Sequence, residues 1–243
     1  MKNIILKSLY MYKLNIKKII LLGFTIIIPL QVLFTFFTNL IALPFSIFEI
    51  RLWETMVQLF FTVITFSLIQ LPFISLFQLD IQDEEYRVGH IYGLSLQKGF
   101  MIYLLSIICA VIILAGAILF IVPGIILMVF LIAIPQATVI ENKTWWKAVK
   151  QSIRFAKQNF TRLFMLILIF MVLDFLISYV SYFLALFTSN SFIVLNLFIM
   201  LGNAVILPFF IFSISYLYHE WIHGSDDEIH SRNIGDFRRK AIY

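Results

Sequence analysis

Long apolar runs separated by short clusters of charge dominate the order of residues along the chain. About 20 predominantly apolar residues in a helix cross the 30 Å of a bilayer's hydrocarbon. Six stretches reach or approach that length: 18–41, 56–78, 100–120, 124–140, 162–184 and 191–216. The pattern predicts an all-α, six-transmembrane-helix bundle forming one membrane domain over 1–243, with an interfacial N-terminal segment over 1–17 and a tail over 219–243. The third and fourth spans are separated only by Ile121, Val122, Pro123 and Gly124, and the Pro-Gly pair predicts a helix break and a tight hairpin.

Composition agrees with this pattern. Of all residues 62% are hydrophobic and 13% charged, against roughly a quarter charged in soluble chains, which excludes a soluble enzyme. The one cysteine, Cys109, lies in an apolar run, so an internal disulfide, a CxxC pair and a Cys-rich metal cluster are excluded as well. A net charge of +5 invites a nucleic-acid reading, but the distribution of the cations argues otherwise. Five of the Lys and Arg lie in 1–18, two in 79–99, six in 141–162 and four in the tail, which leaves Arg51 alone on the other side. Cytoplasmic loops retain Lys and Arg, so both termini are expected in the cytoplasm and nucleic acid is not an expected partner. Residues 40–44 offer no A-x-A-like cleavage site, so the first span is read as permanent. The Asn-x-Thr triplets at Asn142 and Asn159 fall on the cytoplasmic side and are read as accidental. Heavy use of Ile, Phe, Lys and Asn suggests an AT-rich bacterial genome and hence a bacterial plasma membrane.

Shifting the chain by 144 residues pairs Ser8 with Ser152, Lys13 with Lys157, Asn15 with Asn159 and Lys18 with Arg162. This suggests a repeating unit of a cytoplasmic helix followed by two spans, with a degenerate middle copy near 88–98. In the last copy, Thr144 is a candidate N-cap. Trp145, Val149, Ile153, Ala156 and Phe160 then recur at helical spacing, with Lys147, Lys150, Arg154 and Lys157 on other faces. Trp145 and Trp146 suit the headgroup level, and the cations suit anionic lipid at about 1 kcal/mol each. The alternative is a basic loop folded as a helix against the bundle.

The run Ile121-Val122-Pro123-Gly124-Ile125-Ile126, followed by Pro135, Val139, Glu141, Ala148, Ser152, Lys157 and Asn159, resembles the membrane domain that precedes the catalytic barrel in some glycerophosphoryl diester phosphodiesterases. It also resembles related stand-alone six-span proteins. The resemblance implies a polytopic bacterial membrane protein and carries no biochemical role. No soluble stretch exceeds roughly 25 residues, far short of a catalytic barrel, so the phosphodiesterase activity is not carried over.

Only one of the thirteen acids, Asp174, falls within a span. It lies twelve residues past Arg162, hence about 18 Å along a helix, at a depth where a carboxylate costs about 2.5–3.5 kcal/mol on insertion scales. Such a group has to be buried, paired or protonated. Asn203 in the last span is a candidate hydrogen-bond partner, and Gly202 and Pro208 are expected to open that helix locally. Asp174 then serves either a proton-linked or substrate-contacting site, or an interhelical hydrogen bond that specifies packing.

His219-Glu220-Trp221-Ile222-His223 fits H-E-x-x-H, in which two imidazoles four apart bind zinc and the Glu activates water. A third ligand is wanting: His230 is one position off metzincin spacing, and Asp226 stands where that pattern has Gly. The alternative is a polar helix end, with Trp221 at the interface and Gly224 as C-cap. Glu84-Glu85 reads as a solvated loop, and Ala115-Gly116-Ala117 as close helix packing. Nucleotide-binding and serine-hydrolase motifs are absent. The expectation is therefore a non-enzymatic transport, immunity or envelope-maintenance component that uses no cofactor, contacts membrane lipid and leaves its protein partners and oligomeric state open. The alternatives are a zinc metalloprotease on His219, Glu220 and His223, and a permease subunit for a separate ATPase.

Overall fold

A computed structural model describes the backbone of residues 2–82, 87–188 and 191–240 and the side chains of 3–82, 87–188, 191 and 193–224. Glu84 and Glu85 lie outside the described residues, as do the side chains of Asp226 and His230. The described chain is helical throughout: α1 (Lys2–Leu14), α2 (Ile16–Leu22), a π-helical turn (Gly23–Ile27), α3 (Ile28–Ile47), α4 (Arg51–Ile81), α5 (Val88–Leu119), α6 (Ile121–Leu131), α7 (Ile134–Val139), α8 (Trp145–Thr188) and α9 (Phe192–Lys240). Six stretches are long and apolar enough to cross a membrane: Ile16–Ile47, Arg51–Ile81, Val88–Leu119, Ile121–Val139, Trp145–Thr188 and Ile193–Gly224. Hydrocarbon offers no partner for a free backbone polar group, so closed helices are the form such runs take. The chain is a multi-pass membrane protein of all-α class.

Several expected boundaries are corrected. The break between the third and fourth spans falls at Phe120, whose backbone is extended (φ −160°, ψ 145°), and not at Pro123-Gly124. Pro123 instead sits in the first turn of α6, where a missing N–H costs no intrahelical bond. Gly124 serves close packing: a Cβ there would lie 3.0 Å from Ala117 Cα, and one at Gly116 would lie 2.6 Å from Leu127 Cδ1. The Ala115-Gly116-Ala117 run is thus a packing surface for the α5–α6 hairpin. The fourth span divides at 132–133, immediately before Pro135 at the start of α7. The degenerate middle copy is no separate helix, since Val88 opens a helix continuous to Leu119. α9 runs on through Gly202 and Pro208, which therefore do not open it, and through Gly224, which is no C-cap. Gly202 is instead a close approach, because a Cβ there would collide with Ile177 of α8.

The repeat at 144 residues reappears in three dimensions. Asn15, between α1 and α2, has φ −105° and ψ 17°, and Asn159 within α8 has φ −119° and ψ 23°. Each side-chain amide donates to the carbonyl four residues back, Asn15 to Met11 at 3.4 Å and Asn159 to Phe155 at 3.3 Å. An Asn that bonds its own helix in this way competes with the regular ladder and bends it. Ser8 and Ser152, Met11 and Phe155, Ile19 and Leu163, and Leu22 and Leu166 are buried at matching positions.

The core is concentrated at the end of the bundle that carries the N-terminus. Residues 69–77 of α4, 132–139 around α7 and 210–218 of α9 are buried almost without exception, and Pro72, Pro135 and Pro208 stand at or near the start of the three segments. α4 packs on both α7 and α9 here. Rings interlock across the contact, with Phe73 edge-on to Phe212 at 6.3 Å and Phe77 edge-on to Tyr216 at 4.8 Å. Toward the opposite end the helices part, and α3 and the second half of α8 expose most of their surface.

Candidate functional site

Where the helices part, a chamber of about 580 Å³ lies between α3, α4, α8 and α9. Its lining follows from helical periodicity. Gln31, Thr35 and Thr38 on α3, and Gln58, Thr62 and Thr65 on α4, recur at i, i+4, i+7; Asn196, Met200 and Asn203 on α9 share that spacing, and Asn39 and Asp174 complete the polar side chains of the lining. That spacing places each trio on one face of its helix. Polar side chains within a span turn to the bundle interior, because lipid solvates none of them. The hydroxyls of Thr62 and Thr65 donate to the carbonyls of Gln58 and Phe61, at 2.8 and 2.7 Å. What they offer the chamber is therefore acceptor oxygen. Gln31 Oε1 is buried with no hydrogen-bond partner among the described residues.

Asp174 and Asn203, singled out from sequence, line this chamber together, with no hydrogen bond between them. Of the three ways open to a lone intramembrane carboxylate, burial is not the one seen: Asp174 is exposed where the chamber meets a second cavity. That cavity, about 270 Å³, is apolar and lies among α4, α5, α6, α7, α8 and α9, sharing Thr62, Phe66, Asp174 and Leu207 with the chamber. Gln70 on its wall accepts a hydrogen bond from Gln136 of α7 at 2.9 Å. This ties two helices within the packed end.

The H-E-x-x-H residues sit farther along α9, just past its segment in the packed end. His219 and His223 stack with ring centroids 4.0 Å apart, and His223 Nδ1 lies 2.9 Å from the His219 carbonyl oxygen. Glu220 is paired with Lys7 of α1 at 2.7 Å, an exposed contact between α1 and α9. No group of three potential metal ligands is assembled among the described residues. Trp221 is half-buried, its indole N–H donating to Gln158 and its ring 5.4 Å from that of Phe155.

The helix at 145–158 is rotated from the expected stripe. Its buried face is Ala148, Val149, Ser152, Phe155, Ala156 and Asn159, packed on α6 and α7, while Trp145 and Trp146 are exposed. Lys147, Lys150, Arg154 and Lys157 are all exposed. Thr144 opens the helix through its backbone carbonyl, which the Lys147 N–H meets at 3.0 Å.

Sequence reasoning missed two groups. The chamber trios on α3 and α4 were legible as Gln and Thr at helical spacing in apolar spans. The second group surrounds Glu141, which accepts from the Tyr218 hydroxyl and from Gln151 Nε2 at 2.9 and 3.1 Å, with Lys143 at 3.7 Å. Residues 77 positions apart meet there, and no local pattern signals such a contact.

Residues 56–220 match a family described as "Domain of unknown function (DUF7847)". No curated protein and no solved structure matches the chain.

Proposed function

The chain belongs to the family described as Domain of unknown function (DUF7847), and since no activity comes with that membership, we propose from the chamber alone that it is a non-enzymatic transport component of a bacterial plasma membrane. The carrying observation is a chamber walled by four helices, where Gln, Thr and Asn side chains from α3, α4 and α9 gather around Asp174 away from the buried core. A polar lining at membrane depth costs free energy in lipid and is repaid where water or a polar solute occupies the space.

The distribution of Lys and Arg supports termini in the cytoplasm, so the packed end is the inner gate and the chamber faces outward. Asp174 supplies the charged contact for solute or proton. The exposed Lys147, Lys150, Arg154 and Lys157 favour anionic lipid at the inner surface. The run from Ile121 to Asn159 supports kinship with the membrane domain of glycerophosphoryl diester phosphodiesterases, without their catalysis.

Single cysteines test this. In a Cys109→Ala background, Gln58→Cys and Thr62→Cys are expected to react, in intact cells, with a membrane-impermeant thiol reagent added outside. Ser75→Cys in the packed end should stay unlabelled. Protection of both chamber positions, in protein shown to be folded, would overturn the outward chamber.

A further inference from the structure

The chamber accounts for polar residues but leaves the apolar cavity beside it unused. The two share a wall, and the character of the lining reverses across it. Gln58, Asn39 and Asn203 lie on one side; Leu105, Ile113 and Phe170 lie on the other. Asp174 stands at the junction, and no Lys, Arg or His lines either cavity among the described residues. Met171, one turn from Asp174, lines the apolar cavity and is 61% exposed on the outside of α8.

We infer that the two cavities form one site for a cationic amphiphile, its ammonium head against Asp174 and its single apolar chain in the cavity lined by α5 and α8. The inference rests on the chamber reading and names the class of solute it takes. Three physical requirements are met together. A carboxylate at this depth needs a counter-charge that the protein does not provide in either cavity. The head finds acceptor oxygens at Thr62 and the Gln and Asn amides around Asp174. The chain finds a surface made of Ile, Leu, Phe and Met side chains. A chain arriving from lipid gains little, because the hydrocarbon it leaves is as apolar as the cavity. A chain arriving from water gains about fourfold in affinity per methylene, the equivalent of about 0.8 kcal/mol. Head recognition therefore sets selectivity, and chain length sets affinity up to the point where the cavity is full.

The test uses the purified full chain in uncharged micelles and compares tetramethylammonium with butyl-, hexyl- and octyltrimethylammonium, each below its own micelle concentration, by equilibrium dialysis. Tetramethylammonium is expected to bind and the octyl compound to bind at least tenfold more tightly, with affinity levelling off at longer chains; partition into micelles has no such plateau. Asp174→Asn should weaken all of them at least tenfold. Ser106→Leu and Cys109→Phe, two independent fillings of the apolar cavity checked for monodisperse elution, should remove the chain-length gain and leave tetramethylammonium unchanged. If tetramethylammonium binds in an Asp174-dependent way but chain length adds nothing, the amphiphile inference falls and the solute chamber stands. If no compound binds in an Asp174-dependent way, the amphiphile inference falls, and cysteine labelling decides the outward chamber separately. If the octyl compound binds equally to Asp174→Asn, the inference falls as non-specific partition.

Discussion

Removing one hydroxyl, in Tyr218→Phe, isolates the contact that joins α9 to the loop before α8. The Tyr218 ring is fully buried, edge-on to Phe155 at 4.9 Å and tilted on Trp221 at 5.6 Å. Phenylalanine preserves that packing, so the change deletes only the hydrogen bond to Glu141. A bond to a carboxylate is worth about 1.5–3 kcal/mol. Glu141 is largely shielded, with 16% of its side chain exposed, so little screening reduces that figure. Gln151 and Lys143 still engage the carboxylate after the change, which favours the lower half of the range. The expected loss is therefore about 1.5–2 kcal/mol in reversible unfolding by a denaturing detergent in mixed micelles. In a Glu141→Ala background the hydroxyl is left buried without its acceptor, and deleting it should be neutral or favourable. A loss below about 0.5 kcal/mol, or the same loss in both backgrounds, would refute this account of the contact.

Three further outcomes follow from the packing and the repeat. Gly124→Ala puts a methyl 3.0 Å from the Ala117 backbone and should destabilise the α5–α6 hairpin by about 1–3 kcal/mol in the same unfolding assay; a neutral result would show that the hairpin is not held at that approach. Ser152 donates to the Phe130 carbonyl on α6 at 2.7 Å, whereas its counterpart Ser8 bonds back within α1 to Ile4 at 2.8 Å. Ser152→Ala should accordingly cost about 1 kcal/mol and Ser8→Ala less than half of that, and equal costs would contradict the difference between the copies. His219 and His223 find no third metal ligand beside them among the described residues, so untagged protein is expected to carry well below one zinc per chain by mass-spectrometric metal analysis, unchanged in His223→Ala. Stoichiometric zinc lost in that variant would place a metal site at His219 and His223, completed from the tail.

The order of residues alone determined the architecture, and the physics is local: each helix must cross the hydrocarbon with its backbone bonds closed within itself, so span length and polarity can be counted along the chain. Asp174 stood out for the same reason, as a charge where the surroundings solvate none. The bend at Asn15 and Asn159 was legible as a repeated pair, and the structure gave the pair a shared geometry. Other features depended on which faces meet. A polar stripe on α3 becomes half of a chamber only because α4 and α9 turn theirs toward it, and helical periodicity carries no information about the rotation of one helix against another. The same ignorance of rotation placed Trp145 on the stripe of its helix and Phe155 off it, while packing on α6 and α7 buries Phe155 and leaves Trp145 outside. The turn at Phe120 and the Glu141–Tyr218 bond likewise came from packing. Close approach of Gly124 to Ala117 leaves Pro123 inside a helix, and the convergence of α7, α8 and α9 brings together residues that the chain keeps far apart.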